Sequence, residues 1–159
     1  MSETPLHFKT ITELAALIRT QELSPVEVTE AMLIRIQEQD SKYQSYATVM
    51  ADYAIKAAKR AEDEIASGNY KGPLHGVPIA VKDLCFTDGV RTMGGCKVMA
   101  DHVPTFDATV VTRFNAAGAV ILGKLGLTES AFAFHHPDIT PPDNPWRSGY
   151  WTGVSSSGS

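Results

Sequence analysis

Two places in the 159-residue sequence carry side chains suited to proton transfer or nucleophilic attack. Lys82 directly follows the apolar triplet Ile79-Ala80-Val81, and the chain closes on the hydroxyl-rich run Ser155-Ser156-Ser157-Gly158-Ser159. A lysine acts as a base only where its charged form is made costly, and desolvation by apolar neighbours does that. A buried strand over residues 79–81 holds the Lys82 stem in a dry interior and turns Asp83 to the opposite face. Asp83 then need not keep Lys82 charged. Spacing alone favours the blander alternative, a strand-end lysine in solvent. Composition alone reads the serine run as a flexible tail.

Other patterns fail on their physics. Gly118-Ala-Val-Ile-Leu-Gly-Lys124 has the opening of a phosphate-binding loop, but its four central residues read as an apolar strand. Such a strand cannot curl its N–H groups around a phosphate, and Leu125 stands where a magnesium-holding Ser or Thr is needed. Gly89, Gly94 and Gly95 lack dinucleotide-fingerprint spacing and read as turn residues. The histidines His7, His75, His102, His135 and His136 show no metal-ligand spacing and read as loop residues. Cys85 and Cys96 lack the second pair a zinc site needs. No register of residues 155–157 gives the Gly-x-Ser-x-Gly elbow of α/β-hydrolases. No metal or cofactor is expected.

The elements that must position Lys82 and the serine run are short strands alternating with helices. Thr10-Ile-Thr-Glu13 has capping-box spacing and predicts a helix whose buried stripe is Ile11, Leu14, Leu17 and Ile18. Ser24-Pro-Val-Glu27 is a second such box, with proline where its missing N–H costs nothing. Its helix is expected to run to about Gln39, with Ala31 and Ile34 on the apolar face. Tyr46-Ala-Thr-Val49 is a candidate strand. The Ala-, Lys- and Glu-rich stretch 51–67 predicts a helix stopped by Gly68. Gly72-Pro-Leu-His-Gly-Val-Pro78 is a turn-rich lead into the strand that ends at Lys82. A helix N-capped by Asp107 and stopped by Gly118 precedes a buried strand at 119–122. Residues 134–154 read as loop. The alternation predicts an α/β sheet layered by helices.

Composition narrows the function classes. Hydrophobic residues make up 43% and charged ones 20%, the balance of a globular chain long enough for one domain. Fourteen Lys and Arg against eighteen Asp and Glu give a formal charge of −4, which offers a nucleic acid nothing. No apolar run approaches the roughly 20 residues that span a bilayer. Met1-Ser-Glu-Thr-Pro5 lacks a signal-peptide start, and two cysteines suit a reducing compartment, so a cytoplasmic location is expected.

Taken together, several blocks resemble one family. Gly72-Pro-Leu-His-Gly-Val-Pro-Ile-Ala-Val-Lys-Asp83 is similar to the first signature block of the amidase signature family. Asp107-Ala-Thr-Val-Val111, Ala116-Ala-Gly-Ala-Val-Ile-Leu-Gly-Lys124 and Asn144-Pro-Trp146 resemble further blocks in the family's order. Thr152-Gly-Val-Ser-Ser-Ser-Gly-Ser159 looks like its Gly-Gly-Ser-Ser-Gly-Gly-Ser segment, with Val154 and Ser157 where glycines are usual. The resemblance implies the N-terminal portion of an amidase-signature fold, a mixed β-sheet covered by helices on both faces. It implies that residues 1–159 belong to a single domain, helical over 1–70 and α/β over 71–159, with the remainder of the domain beyond Ser159.

The resemblance also implies roles. Lys82 corresponds to the base of a Ser–cis-Ser–Lys triad and Ser155 to its bridging serine, entered by a cis peptide bond. Ser156 is the rival for that place, because a serine run is easily misread by one register. Ser159 corresponds to a supporting hydroxyl, and Lys124 to a structural lysine. The family's nucleophile and oxyanion hole lie in a Thr-Gly-Gly-Ser-like stretch, and residues 1–159 contain none. This chain alone is therefore expected to be inactive.

Leu127, Thr128 and Phe132 correspond to the acyl-binding wall, the alternative being that Phe132 and Phe134 are core aromatics. The implied reaction is hydrolysis of a small-molecule or aryl/acyl amide without cofactor, metal, nucleic acid or membrane. Dimers are common in the family, which makes a homodimer the assembly to look for. Two other functions compete. One is the catalytic subunit of a tRNA-dependent amidotransferase, although Leu127, Thr128, Glu129 and the His-His-Pro run depart from its Met-Asp-Glu-Phe-like stretch. The other is a non-enzymatic truncated or split module retained for binding or assembly.

Overall fold

Helix α1 (Ile11–Arg19) starts where the chain supplies both halves of a reciprocal cap. The Thr10 hydroxyl accepts the Glu13 N–H at 3.3 Å, and the Glu13 carboxylate accepts the Thr10 N–H at 2.7 Å. Two of the four orphan donors of the first turn are thereby satisfied. Leu14, Ala15 and Ile18 are buried, but Ile11, the first residue of the helix, is exposed. The computed structural model describes residues 4–159; Met1-Ser2-Glu3, the start of the segment tested for a leader, lies outside the described residues.

Helix α2 (Pro25–Tyr43) runs four residues beyond the expected end. Its cap is only half a box. The Ser24 hydroxyl accepts the N–H groups of Val26 and Glu27, but donates to Glu62 on another helix, and no bond from the Glu27 carboxylate returns among the described residues. Ile34 is exposed. Helix phase instead places Met32, Leu33 and Ile36 against Ala54, Ala58, Val120 and Leu122.

Strand β1 (Tyr46–Val49), helix α3 (Ala51–Ala66) and strand β2 (Pro78–Lys82) follow, then helix α4 (Thr109–Ala116) and strand β3 (Val120–Leu125). Helix α4 begins two residues after Asp107, whose carboxylate accepts the Asp88 N–H at 2.8 Å. The strand order is β1-β3-β2. β1 pairs with β3 antiparallel, Thr48 opposite Lys124 and Val49 opposite Gly123. Along β2 and β3 the bonded positions rise together, Val120 N–H to the Val77 carbonyl and Asp83 N–H to the Leu125 carbonyl, each at 2.9 Å. That is a parallel pair, so the sheet is mixed.

The chain folds into two compact units that interleave in sequence. One gathers residues 4–36 with residues 50–79 and 113–122. Its core is formed by Leu14, Ile18, Leu23, Val28, Ile65 and Val77. Within it, Gly118 takes φ +76°, and a Cβ there would lie 2.2 Å from the His75 ring. That ring is fully buried, with its Nε2 2.9 Å from Glu64 and its Nδ1 accepting the Lys71 N–H. The other unit gathers residues 37–49, 80–112 and 123–159, and it holds the residues singled out for chemistry. No helix of the described residues is long and apolar enough to cross a membrane.

Candidate active site

The two strand ends carry the two lysines, and the structure gives them opposite surroundings. Lys82 is only half-buried, and its ammonium donates to the Ser155 hydroxyl. Lys124 is the lysine in the dry interior, with no exposed surface. Its ammonium donates to the Cys85 carbonyl and to the Thr92 hydroxyl, each at 2.6 Å, and lies 3.6 Å from the Asp83 carboxylate. Lys82 thus lies between the two readings of its spacing, neither in a dry interior nor free in solvent, while Lys124 is fully buried. The loop at residues 85–92 folds back over Lys124, while Lys82 faces the serine run.

Strand alternation explains how neighbouring residues reach such different places. Asp83 follows Lys82 but points to the other face, where its carboxylate accepts the Met93 N–H at 3.1 Å and meets Lys124. Burial pushes Asp83 above the usual carboxylate range and Lys124 below the usual lysine value, each offset in part by the charge of the other. Arg91 fixes the same loop to β1 through the Ala47 carbonyl and the Thr48 hydroxyl.

The serine run is folded rather than a loose tail. Gly158 N–H donates to the Gly126 carbonyl at 3.0 Å, so close that a Cβ on Gly158 would meet the Ser45 carbonyl at 2.2 Å. Only glycine fits there. Ser159 is exposed, its N–H donating to the Ser156 carbonyl at 3.2 Å, and Ser156 is exposed as well. Between the register rivals, Ser155 rather than Ser156 meets Lys82. Every peptide bond of the described residues is trans, so the cis bond expected at Ser155 is not formed. A non-proline cis bond costs about 2.5–4 kcal/mol and needs neighbours that enforce it. Among the described residues no hydrogen bond holds the backbone of residues 154 and 155, and Ser155 turns the chain with φ +77° instead.

The expected acyl-binding wall is divided. Leu127 is buried and lines a cavity of about 270 Å³ with Tyr46, Arg91 and Ile139. Thr128 is fully buried, and its hydroxyl is used within the loop, donating to the Phe132 carbonyl at 2.6 Å. A larger cavity, about 420 Å³, is walled by Phe134, Tyr150 and Trp151, with the Phe134 and Trp151 rings stacked at 6.3 Å. Phe132 is 79% exposed and lines neither cavity, and Phe134 is 73% exposed, so neither ring is a core aromatic. Sequence reading missed His135, which lines both cavities and whose Nε2 lies 2.8 Å from the Ser157 hydroxyl. The available signal was Ser157 itself, a hydroxyl added where glycine is usual and in need of a partner once buried.

Residues 27–159 match the family model described as Amidase. The chain is 52% identical over 148 residues to the protein AmiD of Mycobacterium tuberculosis, covering 93% of this chain and 31% of that protein. It is 43% identical over 156 residues to a glutamyl-tRNA(Gln) amidotransferase subunit of Methylococcus capsulatus, covering 97% and 32%. The structure superposes on the native peptide amidase of Stenotrophomonas maltophilia with a TM-score of 0.87 at 31% identity, covering 97% of this chain and 33% of that one. The chain thus spans about a third of the length of the relatives it matches.

Proposed function

From the premise that this chain belongs to the amidase family, we propose that it supplies the proton relay of a serine hydrolase that cleaves carbon–nitrogen bonds. The observation that carries this reading is the Lys82 ammonium on the Ser155 hydroxyl. In its unprotonated form, Lys82 accepts the Ser155 hydroxyl proton while Ser155 takes the proton of a nucleophilic serine attacking the amide carbon. The proton returns along the same path to the nitrogen of the leaving amine, the carbon–nitrogen bond breaks, and an acyl ester remains on the nucleophile. Water attacks that ester with the relay again acting as base, releasing the acid and restoring the serine.

The nucleophile and its oxyanion-binding N–H groups belong to a Gly/Ser-rich stretch that residues 1–159 do not contain. Without them the attacking group and the largest electrostatic contribution to catalysis are both lacking. Purified residues 1–159 should therefore hydrolyse no amide above background. The preferred substrate is a small-molecule or aryl/acyl amide whose acyl portion contacts Leu127. Higher identity to AmiD than to the amidotransferase protein supports the stand-alone hydrolase. Glutamine-dependent amidation of a misacylated tRNA by the full-length protein that contains this chain would reverse that preference.

The relay is tested by Lys82→Ala in that full-length protein. Loss of a general base reduces turnover by roughly 10²–10⁴-fold. Near-normal hydrolysis by a folded Lys82→Ala variant would remove Lys82 from the mechanism.

A further inference from the structure

Among the described residues, hydrogen bonds tie the serine run to the rest of its unit at three points, and the proton relay uses only one of them. Ser155 meets Lys82, Gly158 meets Gly126 through the backbone, and Ser157 meets His135 through its side chain. Ser157 is 4% exposed. Its hydroxyl has the His135 imidazole as its sole side-chain partner among the described residues, at 2.8 Å. His135 is half-buried in the loop that follows β3, at the rim shared by the two cavities. Burial holds its pKa below the usual histidine value, so near neutral pH the ring is uncharged and bonds Ser157 as a neutral partner.

The geometry of the loop makes this contact consequential. Ser155 stands two residues before Ser157, in a left-handed backbone conformation at φ +77° that a residue with a Cβ enters reluctantly. No backbone hydrogen bond secures residues 154 and 155 among the described residues. The position of the Ser155 hydroxyl therefore depends on the residues that flank it: Gly153, whose carbonyl accepts the Trp151 indole N–H, on one side, and residues 157 and 158 on the other. Gly158 is fixed over Gly126 and against the Ser45 carbonyl through backbone contacts. The His135–Ser157 bond adds a side-chain anchor one residue closer to Ser155.

We propose that His135 is a positioning residue, which acts through the Ser157 hydroxyl to hold Ser155 against Lys82. The proposal rests on the relay reading and adds to it a pair on which no role has been placed. Ser157 stands where the resembled segment has glycine, and His135 belongs to the His-His-Pro run that departs from the amidotransferase pattern. The two departures meet each other in space. Removing the imidazole leaves the buried Ser157 hydroxyl without a side-chain partner among the described residues.

The test is a double-mutant cycle in the full-length protein, reading kcat and KM for an amide substrate together with thermal unfolding. His135→Ala and Ser157→Ala should each lower kcat about tenfold to a hundredfold with KM nearly unchanged, the effect of a misplaced relay rather than lost binding. The double variant should be no slower than the slower single variant. His135→Gln, whose amide can still bond the hydroxyl, should recover most of the loss. That recovery distinguishes positioning from general destabilisation, which unfolding curves report separately. Additive losses, unchanged kcat in folded His135→Ala, or no recovery by His135→Gln would each overturn the proposal. Lys82→Ala in parallel separates the layers. If Lys82→Ala is inactive and His135→Ala is normal, only the positioning role fails; if Lys82→Ala is active, the relay itself fails.

Discussion

Replacing Lys124 with methionine keeps the side-chain volume and removes one charge from the interior. The ammonium lies 3.6 Å from Asp83, a separation worth about 4–5 kcal/mol at an effective dielectric near 20. It also makes two hydrogen bonds of 2.6 Å, to the Cys85 carbonyl and the Thr92 hydroxyl. Asp83 is 1% exposed, and its Oδ1 has no hydrogen-bond partner among the described residues. Removing the cation therefore strands a buried carboxylate. Breaking such a pair from one side costs about 3–5 kcal/mol, a large fraction of the 5–15 kcal/mol typical of a whole domain.

The measurement is the urea midpoint of the full-length protein and its Lys124→Met variant at neutral pH, with the slope compared to confirm the same transition. Two further results follow from the same geometry. The loss should shrink as pH falls, because protonated Asp83 no longer needs a counterion. Adding Asp83→Asn to Lys124→Met should recover part of the loss, since the amide oxygen still accepts the Met93 N–H. A Lys124→Met variant within about 1 kcal/mol of the parent, or one made worse by Asp83→Asn, refutes the reasoning.

Other outcomes are expected from the first unit. Gly118→Ala combines a left-handed φ with a Cβ 2.2 Å from the pinned His75 ring, and should cost about 2–5 kcal/mol in denaturant titration. Its effect should ease when His75 is also shortened. Burial holds His75 below its ordinary value, so between that value and the depressed one the unfolded chain binds the extra proton. Stability should therefore fall as pH is lowered from about 6.5 toward the depressed pKa, and His75→Gln should flatten that slope in urea midpoints taken against pH. Glu64, held below the usual carboxylate value chiefly by Lys71, adds a loss at lower pH, as the solution passes down through its depressed pKa.

Features written within a few residues were legible in the sequence. The Thr10–Glu13 box, the helix ending before Gly68 and the strand ending at Lys82 depend on local bonds and local spacing. The α/β class followed from their alternation. What escaped depends on residues far apart in the chain. Nothing near Lys82 or Lys124 says which one the loop of residues 85–92 will cover, and spacing alone leaves Lys82 between a dry interior and solvent. Ile34 was placed inward because its spacing fits a helix face, but the contacts of α2 choose a face rotated from it. The Ser24 hydroxyl accepts the Glu27 N–H as its box predicts, but it also donates to Glu62, 38 residues away. His135 and Ser157 are separated by 22 residues of irregular chain, where no periodicity exists to read. The cis bond implied by resemblance is not formed, and the backbone of residues 154 and 155 carries no hydrogen bond among the described residues.

The central claim is that Ser155, and not its neighbour, carries the proton between Lys82 and a nucleophile. It is tested most directly by comparing single-turnover acylation of the full-length protein with that of its Ser155→Ala and Ser156→Ala variants, using a chromogenic aryl amide. The relay predicts that Ser155→Ala slows acylation by roughly 10²–10⁴-fold while Ser156→Ala stays within about tenfold of the parent. A fast Ser155→Ala variant beside a disabled Ser156→Ala variant would contradict it.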